Sequence, residues 1–350
     1  MKKWFVTCGG INIDNVVAAN SQVYLNQLGG NAVYSSVSCS LWSEEVAVVG
    51  NIPQNFPQEQ SKRLGDMGFN TDGIRTKETS VELFEWFIYN HDGSRRDRIF
   101  LAADSPLPWL KDKQHGDCLS SQEYNELLDS FVSSERSTCT TFTRFRHLHP
   151  IRGSQVSISS DSILGCHLAP SELKVHEELI AHFRASSTVV TLDPGPYVQN
   201  IELHRLTNLL NGIDVFMPSE KEMQWLFPVA TVREGISEIS KMSSCSVIVK
   251  CGDKGSLLWD GQEKVLYEIE AYPTKAKDPT GAGDVYCGSF LANYALTNDL
   301  ILAATRASAA ASCAVETPGV TGVLEAGPTE ILRRSELVSH RAIGGGQDND

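Results

Sequence analysis

Short apolar runs alternate with stretches of helical periodicity along most of this 350-residue chain. Each apolar run ends at Gly, Pro, Asp or Ser, as a buried strand does where a turn begins. Strands that alternate with helices form right-handed βαβ units, so the sequence predicts a mostly parallel sheet whose ligands bind beyond the carboxyl ends of the strands. The predicted strands are Trp4–Gly10, Glu45–Gly50, Ser187–Gly195, Ile213–Ser219 and Cys245–Gly255, and the predicted helices are Asn31–Ser43, Ser171–Phe183, Val198–Leu210 and Ser219–Phe227.

Residues 80–101 have a different pattern. The stretch SVELFEWFIYN is rich in aromatic and β-branched residues, HDGS is a turn signal, and RDRIFLA can return as a second strand. The segment is therefore predicted to form a hairpin. It would serve as a lid or an oligomer contact, or else as an edge extension of the main sheet.

Charge and cysteine content narrow the class of protein. The 30 Lys and Arg residues are outnumbered by 43 Asp and Glu residues, and the densest basic cluster, Ser94–Arg98, is short, so a nucleic-acid partner is not expected. The nine cysteines form no C-x-x-C pair, which indicates reduced thiols in a cytoplasmic protein. No run of 18 apolar residues occurs, and the first apolar stretch is too interrupted for a signal peptide, so no membrane partner is expected.

The tetrapeptide Gly281-Ala282-Gly283-Asp284 carries the strongest chemical signal. It stands at the start of a segment, Asp284–Leu296, that can form a helix. Backbone N–H groups at a helix start have no internal partner and carry partial positive charge, and glycine lets a ligand approach the backbone closely. The pattern therefore predicts a pocket for phosphate oxygens. Asp284 is predicted either to accept the proton of an attacking hydroxyl or only to cap the helix.

The longer motif DPTGAGD, residues 278–284, closely resembles the C-terminal signature of the PfkB/ribokinase family of carbohydrate kinases. Four further segments resemble motifs of that family in the family's order, and the resemblance spans about residues 4 to 325. They are GGINID from Gly9, LGGNA from Leu28, DVFMPSEKE from Asp214 and VIVKCGDKG from Val247.

This resemblance implies a fold and a domain division. The fold would be a ribokinase-like three-layer α/β/α sandwich with a mostly parallel central sheet and a small β-sheet lid. Residues 1–340 would form a single kinase domain, with the lid from about 11–30 and 80–101. Residues 341–350, rich in glycine and polar residues, are predicted to be a disordered tail.

The resemblance also implies roles for individual residues. Asp284 would be the general base for the sugar hydroxyl, and the amides of Gly281, Ala282 and Gly283 would form the anion hole. The implied substrate-binding residues are Asp14, Gly29, Gly30 and Asn31, the implied ATP-binding residues are Ser219, Lys250, Gly252 and Gly255, and Glu222 would organise Mg²⁺ through water. The need for a monovalent cation stays open.

Three residues depart from the family pattern. Ser219 stands where the family usually has Asn, Tyr34 where many of its sugar kinases have Asn, and Lys250 where the family often has Thr. Lys250 is predicted either to neutralise a phosphate or to face solvent. None of the three departures removes the predicted base or the predicted anion pocket.

The HLH motif at His147–His149 is predicted to lie on a strand, which would place both imidazoles on one face. No third ligand stands at a suitable spacing. The two histidines are therefore expected to have a structural or substrate-contacting role rather than to bind a metal.

Together these observations predict an ATP-dependent sugar kinase that transfers the γ-phosphate of ATP to a hydroxyl of a small carbohydrate, with ATP and Mg²⁺ as cofactors. Two alternatives stay open: a nucleoside kinase of the same fold, and a non-catalytic sugar-binding or regulatory protein. The expected partner is a small-molecule sugar, and the resemblance implies a homodimer through the lid.

Overall fold

Ten strands form one large sheet in the computed structural model, which describes residues 2–90, 95–102, 107–114, 116–131, 140–184, 186–228 and 231–345. Numbered in chain order, with β2, β3, β6 and β7 kept for the second sheet, they are β1 Trp4–Cys8, β4 Val46–Pro53, β5 Asn70–Lys77, β8 Ile163–Leu168, β9 Val189–Leu192, β10 Val215–Phe216, β11 Ser246–Lys250, β12 Ser256–Asp260, β13 Val265–Ile269 and β14 His340–Gly345. The strand order is β14-β13-β12-β11-β10-β9-β8-β1-β4-β5. The strands from β5 to β11 in this order are parallel, and β12, β13 and β14 add antiparallel strands at one edge. The predicted mostly parallel sheet is confirmed.

Helices cover both faces of this sheet. Within the described ranges they are α1 Asn31–Ser40, α2 Gln58–Asp66, α3 Ser121–Asp129, α4 Phe142–Leu148, α5 Leu173–Phe183, α6 Leu203–Leu210, α7 Glu220–Leu226, α8 Val232–Met242, α9 Ala282–Thr297, α10 Leu300–Ala314 and α11 Thr321–Ser335. Apolar residues of α5 to α8 pack on one face, and those of α1, α9, α10 and α11 pack on the other, which gives the three predicted layers. No helix in these ranges is long and apolar enough to span a membrane.

Helix α9 occupies the centre of its layer. Its residues from Val285 to Asn293 are all buried. Gly288 lets α1 come close, because a Cβ at this position would overlap the carbonyl oxygen of Ser35. This contact places the start of α9 beside α1, where much of the candidate site is found.

A second, four-stranded sheet contains β2 Asn12–Val17, β3 Val23–Gly29, β6 Leu83–Tyr89 and β7 Arg95–Ala102, in the order β3-β2-β6-β7. Strands β6 and β7 pair antiparallel, as the predicted hairpin requires. They join this second sheet and do not extend the edge of the main sheet, so that alternative was wrong. The predicted turn at 91–94 lies outside the described residues. The sheet coincides with the predicted lid ranges, while its closure over a ligand stays a prediction.

The C-terminal boundary differs from the prediction. The tail was expected to be disordered from residue 341, but His340–Gly345 form β14, which pairs antiparallel with β13. Sequence reasoning took the glycines for disorder. However, an edge strand is stabilised by main-chain hydrogen bonds, which do not depend on large side chains. Residues 346–350 lie outside the described part of the chain.

The prediction that the HLH motif lies on a strand was also wrong. His147 is in α4 and His149 is the residue that ends it. The helix begins after Thr141, whose side chain accepts a hydrogen bond from the Arg144 amide, as an N-cap does. The two imidazoles have different partners: His147 Nδ1 contacts Glu172 at 2.5 Å, and His149 Nε2 contacts Thr79 Oγ1 at 2.8 Å.

Candidate active site

The glycine-rich motif forms the start of α9, as predicted. Gly281 is the N-cap and has a left-handed backbone with φ 76°, which favours glycine. A Cβ on Gly281 would also lie only 2.5 Å from Cδ1 of the Tyr34 ring. Within the described residues, the amides of Gly281 and Gly283 have no acceptor, whereas the Ala282 amide donates to the Pro279 carbonyl at 3.3 Å. Two of the three predicted anion-hole amides are therefore available to a phosphate.

Asp284 lies in the first turn of α9 and is half-buried. Its main-chain carbonyl accepts a hydrogen bond from Ser35 Oγ at 3.2 Å, which ties this turn to α1. Lys250, the last residue of β11, brings its ammonium within 3.9 Å of the position that a Cβ would take on Gly283. The helix N-terminus thus has a carboxylate in its first turn and a cation nearby, and its dipole favours an anion.

Tyr34 joins the two carboxylates that the sequence placed in the site. It is buried, its hydroxyl donates to Asp14 Oδ2 at 3.3 Å, and its ring packs against Gly281. Burial raises the pKa of Tyr34 well above its ordinary value, and the charges of Asp14, Asp278 and Asp284 raise it further. The phenol therefore stays protonated and acts as a donor. Tyr34 thus contacts Asp14 through its hydroxyl, and through its ring it contacts the N-cap of the helix that carries Asp284.

Asp14 is a buried residue of β2, opposite the end of β3. A Cβ on Gly29 would overlap Asp14 Oδ2, so glycine at this position leaves room for the carboxylate. Gly30 follows with φ 97° and is the N-cap of α1. Gly29 therefore lies against Asp14 and Gly30 against the main chain at Gly10 and Asn12, while contact of either glycine with a substrate stays a prediction.

Asn31 is engaged by the main chain on both sides. Its Oδ1 accepts a hydrogen bond from the Gly10 amide at 2.6 Å, and its Nδ2 donates to the Pro170 carbonyl at 3.1 Å. These bonds join the chain after β1 to the chain after β8. These observed contacts are structural, and they leave the Asn31 amide one hydrogen and one lone pair.

Lys250 does not face solvent, which excludes one of its two predicted environments. Its ammonium donates to the Asp193 carboxylate, and it lies 3.5 Å from Cys287 Sγ. Burial by itself lowers the pKa of Lys250, but Asp193, Cys287 and Glu222 outweigh it, so the pKa is raised. The side chain therefore carries a full positive charge close to the start of α9.

Ser219 and Glu222 form a reciprocal capping box at the start of α7. Ser219 Oγ accepts from the Glu222 amide at 3.3 Å, and Glu222 Oε2 accepts from the Ser219 amide at 2.7 Å. Burial raises the pKa of Glu222, and the nearby charge of Asp193 raises it further. Glu222 is thus held near the Lys250–Asp193 pair, with its other carboxylate oxygen outside the capping box.

The structure places few side chains at the predicted nucleotide turn and at the predicted metal site. Gly252 and Gly255 flank a short 3₁₀ turn directly after β11, close in the chain to Lys250. Within the described ranges, no group of three or more His, Cys, Asp and Glu side chains is placed to hold a metal ion. Mg²⁺ commonly keeps several waters and binds through substrate phosphates, so the single carboxylate of Glu222 is compatible with the predicted role.

Sequence reasoning missed two residues of this site. It identified Tyr34 only as a departure from the family pattern, although one helical turn after Asn31 places the residue on the same side of α1. It assigned no role to Asp193, the first residue after β9. The carboxyl edge of a parallel sheet is where ligands bind, and this position was the available signal.

Comparison with known proteins shows which kinases the chain is similar to. The family model of pfkB family carbohydrate kinases matches residues 156–326. The cytidine kinase of Thermococcus kodakarensis is 23% identical over 297 residues, which are 83% of this chain and 87% of that protein.

Solved structures show the same fold. Ribokinase of Arabidopsis thaliana, complexed with ribose and ATP, superimposes with a TM-score of 0.66 at 18% identity, over 96% of this chain and 99% of that chain. Fructokinase of Vibrio cholerae O395, bound to fructose, ADP and calcium ion, has a TM-score of 0.63 at 18% identity, over 91% and 96%. The predicted ribokinase-like fold is confirmed, and residues 156–326 are similar to the pfkB family carbohydrate kinases.

Proposed function

We propose that the protein is an ATP-dependent kinase that phosphorylates a hydroxyl group of a small carbohydrate, with Asp284 as the general base. The observation that supports this proposal most directly is the position of Asp284. It stands in the first turn of α9, beside two amides that have no acceptor among the described residues, and Tyr34 connects this turn to Asp14. Such an arrangement suits transfer of an anionic group to a hydroxyl held by Asp14.

In the proposed mechanism each residue has one task. Asp14 accepts hydrogen bonds from the acceptor's hydroxyl groups and orients them, since an ionised carboxylate can accept from two donors. Asp284 accepts the proton of the attacking hydroxyl. The Gly281 and Gly283 amides hold the transferring phosphoryl oxygens, and removing one such donor in other enzymes typically slows turnover ~10²–10³-fold. Lys250 adds positive charge beside them.

ATP and a divalent cation are the proposed cofactors. The free amides at the α9 N-terminus and the Lys250 ammonium fit a triphosphate. Mg²⁺ bound to the phosphates would neutralise their charge, with Glu222 as the proposed residue that organises its water shell. Ser219, Gly252 and Gly255 lie at the ends of β10 and β11 and are proposed to contact the nucleotide. The monovalent cation stays an untested prediction.

A nucleoside kinase is the second candidate, because the relative aligned over 83% of this chain is a cytidine kinase. Such an enzyme would use Asp284 and the α9 amides in the same way, and its acceptor would be the hydroxyl of a nucleoside. The two candidates therefore differ in the acceptor and share the proposed phosphoryl-transfer chemistry.

The test is an ADP-release assay with Mg-ATP and a panel of sugars and nucleosides, which identifies the acceptor class. We expect Asp284→Asn to lower kcat at least ~10²-fold, given the usual contribution of a positioned base. Asp299→Asn is the matched control, because Asp299 also stands at a helix start but only caps α10. A wild-type protein that binds sugars and releases no ADP with any acceptor would instead support the non-catalytic alternative.

The remaining proposals concern the second sheet and the cellular location of the protein. The four-stranded sheet is proposed to act as a lid that excludes water from the site and to provide the surface for a homodimer. The eight cysteines in the described ranges are free thiols, which supports the proposed cytoplasmic location.

A further inference from the structure

A cleft opens at the carboxyl ends of β1, β4 and β8. Gly9, Gly10, Arg146, Ser171 and Tyr197 are among its lining residues. The cleft adjoins the candidate active site through Asn31, which bonds the Gly10 amide and begins the helix that carries Tyr34. A substrate that reaches from Asp14 past Gly10 would place its far end in this cleft.

Arg146 is the unusual residue of the cleft. Half-buried Arg205 pairs with Glu177, and buried Arg334 pairs with Glu316. Arg146 has no ion pair and no hydrogen bond in the described structure, and its Nε is buried. A polar group that is shielded from water without a partner is costly, and a ligand removes that cost.

The lining of the cleft makes room for this guanidinium. A Cβ on Gly10 would lie 2.8 Å from Arg146 Nη1, so glycine at this position lets the group rest against the main chain. The hydroxyls of Ser171 and Tyr197 have no protein partner in the described ranges, and both residues are half-buried. The cleft therefore offers a planar cation and two uncommitted hydroxyls.

Besides Arg146, the described lining of the cleft contains two residues with an acidic or basic side chain, Glu172 and His149. Glu172 is the one carboxylate among the described lining residues, and His147 Nδ1 holds it at 2.5 Å. His149 also lines the cleft, but burial lowers its pKa and Lys77 lowers it further, so it is neutral at pH 7. The lining thus presents the Arg146 guanidinium to a ligand, while the Glu172 carboxylate is engaged by His147.

We propose that Arg146 binds an anionic group, a carboxylate or a phosphate, on the acceptor substrate, so that the substrate is a sugar acid or a sugar phosphate and not a neutral sugar or nucleoside. This inference rests on the proposed kinase function, because it specifies the chemical group that the acceptor carries at the end remote from the phosphorylated hydroxyl. The fork of guanidinium donors can bind either anion through two parallel N–H···O bonds.

The test combines binding with turnover. Calorimetry would measure binding of D-gluconate, D-fructose 6-phosphate and D-ribose 5-phosphate, with D-glucose, D-fructose and D-ribose as neutral matches. The variants are Arg146→Gln, Arg146→Lys, and Arg144→Gln, which removes the same charge from an exposed position on the same helix. Comparison of gluconate with the two sugar phosphates shows whether the bound anion is a carboxylate or a phosphate.

We expect at least one anionic probe to bind the wild type more tightly than its neutral match. Arg146→Gln should weaken that binding ~10- to 100-fold, the usual range for a charge-assisted hydrogen bond. Arg146→Lys should recover part of it, and Arg144→Gln should leave it unchanged. The same preference should appear in KM for ADP release.

Two results would overturn the inference without touching the kinase proposal: a wild type that phosphorylates neutral sugars or nucleosides and binds none of the anionic probes, or an Arg146→Gln variant that binds them as well as the wild type does. Failure of the kinase proposal has a different signature. In that case no acceptor yields ADP, while calorimetry still reports whether Arg146 binds the anion.

Discussion

Replacement of Tyr34 by Phe would show whether Tyr34 orients Asp14 toward the acceptor. The variant removes only the phenolic oxygen, so the ring stays packed against Gly281. The lost bond joins a hydroxyl to a carboxylate at 3.3 Å. Such bonds contribute ~1.5–3 kcal/mol, and because 3.3 Å is long for an O–H···O bond, we expect about 1.5 kcal/mol. That energy corresponds to about a tenfold rise in KM for the acceptor, with kcat nearly unchanged because Asp284 is still in place.

The pH dependence and a control variant sharpen this prediction. Since burial and the surrounding carboxylates raise the pKa of Tyr34 well above its ordinary value, the hydroxyl stays a donor and the KM effect should not vary with pH near neutrality. Tyr286→Phe is the control. Tyr286 is also buried and loses one hydrogen bond, to Ser256 Oγ at 2.9 Å, on the side of α9 that faces β12. The Tyr286→Phe variant should leave KM for the acceptor unchanged.

Steady-state kinetics with the acceptor found in the panel provide the measurement. An unchanged KM in Tyr34→Phe would mean that Asp14 needs no help from Tyr34. A lower KM would mean that the hydroxyl competes with the acceptor for Asp14 Oδ2. Either result would refute the idea that Tyr34 positions the carboxylate.

Two further predictions concern stability. His167 is fully buried against Thr191, and burial, opposed in part by Asp193, lowers its pKa to about 3. The folded state therefore excludes a proton that the unfolded chain binds below about pH 6.5. The free energy of unfolding, measured with urea, should fall by about 2 kcal/mol between pH 7 and pH 5. In His167→Gln this part of the pH dependence should be absent. Lys250→Met leaves the buried Asp193 carboxylate without its cation and should lower the free energy of unfolding by ~3–5 kcal/mol, whereas adding Asp193→Leu should restore part of the loss. Urea unfolding of both single variants and the double variant provides the measurement, and a double-variant loss equal to the sum of the two single losses would show that the pair is not coupled.

The parts of the site that could be predicted from sequence are local ones. The start of α9 follows from a glycine motif whose conformation depends on its own residues, and Gly281 indeed has the left-handed backbone that such a motif allows. The parallel sheet follows from apolar runs and their stop residues. Conversely, β14 was misread because its stability comes from main-chain pairing with β13, which composition does not report.

The contacts that join distant segments could not be predicted in this way. Tyr34 reaches Asp14 and Gly281 only because α1 and α9 cross closely at Gly288. Lys250 meets a carboxylate 57 residues earlier in the chain. Each contact depends on the assembled layers, and no periodicity within one segment specifies which side chains will meet across them.

The departures from the family pattern bear on whether the site has decayed. A decayed site would leave polar side chains near the former ligands without partners, since selection would no longer maintain their contacts. Each of the three departing residues instead has a specific partner: the Tyr34 hydroxyl donates to Asp14, the Lys250 ammonium to Asp193, and Ser219 forms a capping box with Glu222. Two of the partners, Asp14 and Glu222, are residues with an implied role in binding substrate or metal. This pattern favours a kinase whose site is adapted to a particular acceptor over a non-catalytic relative.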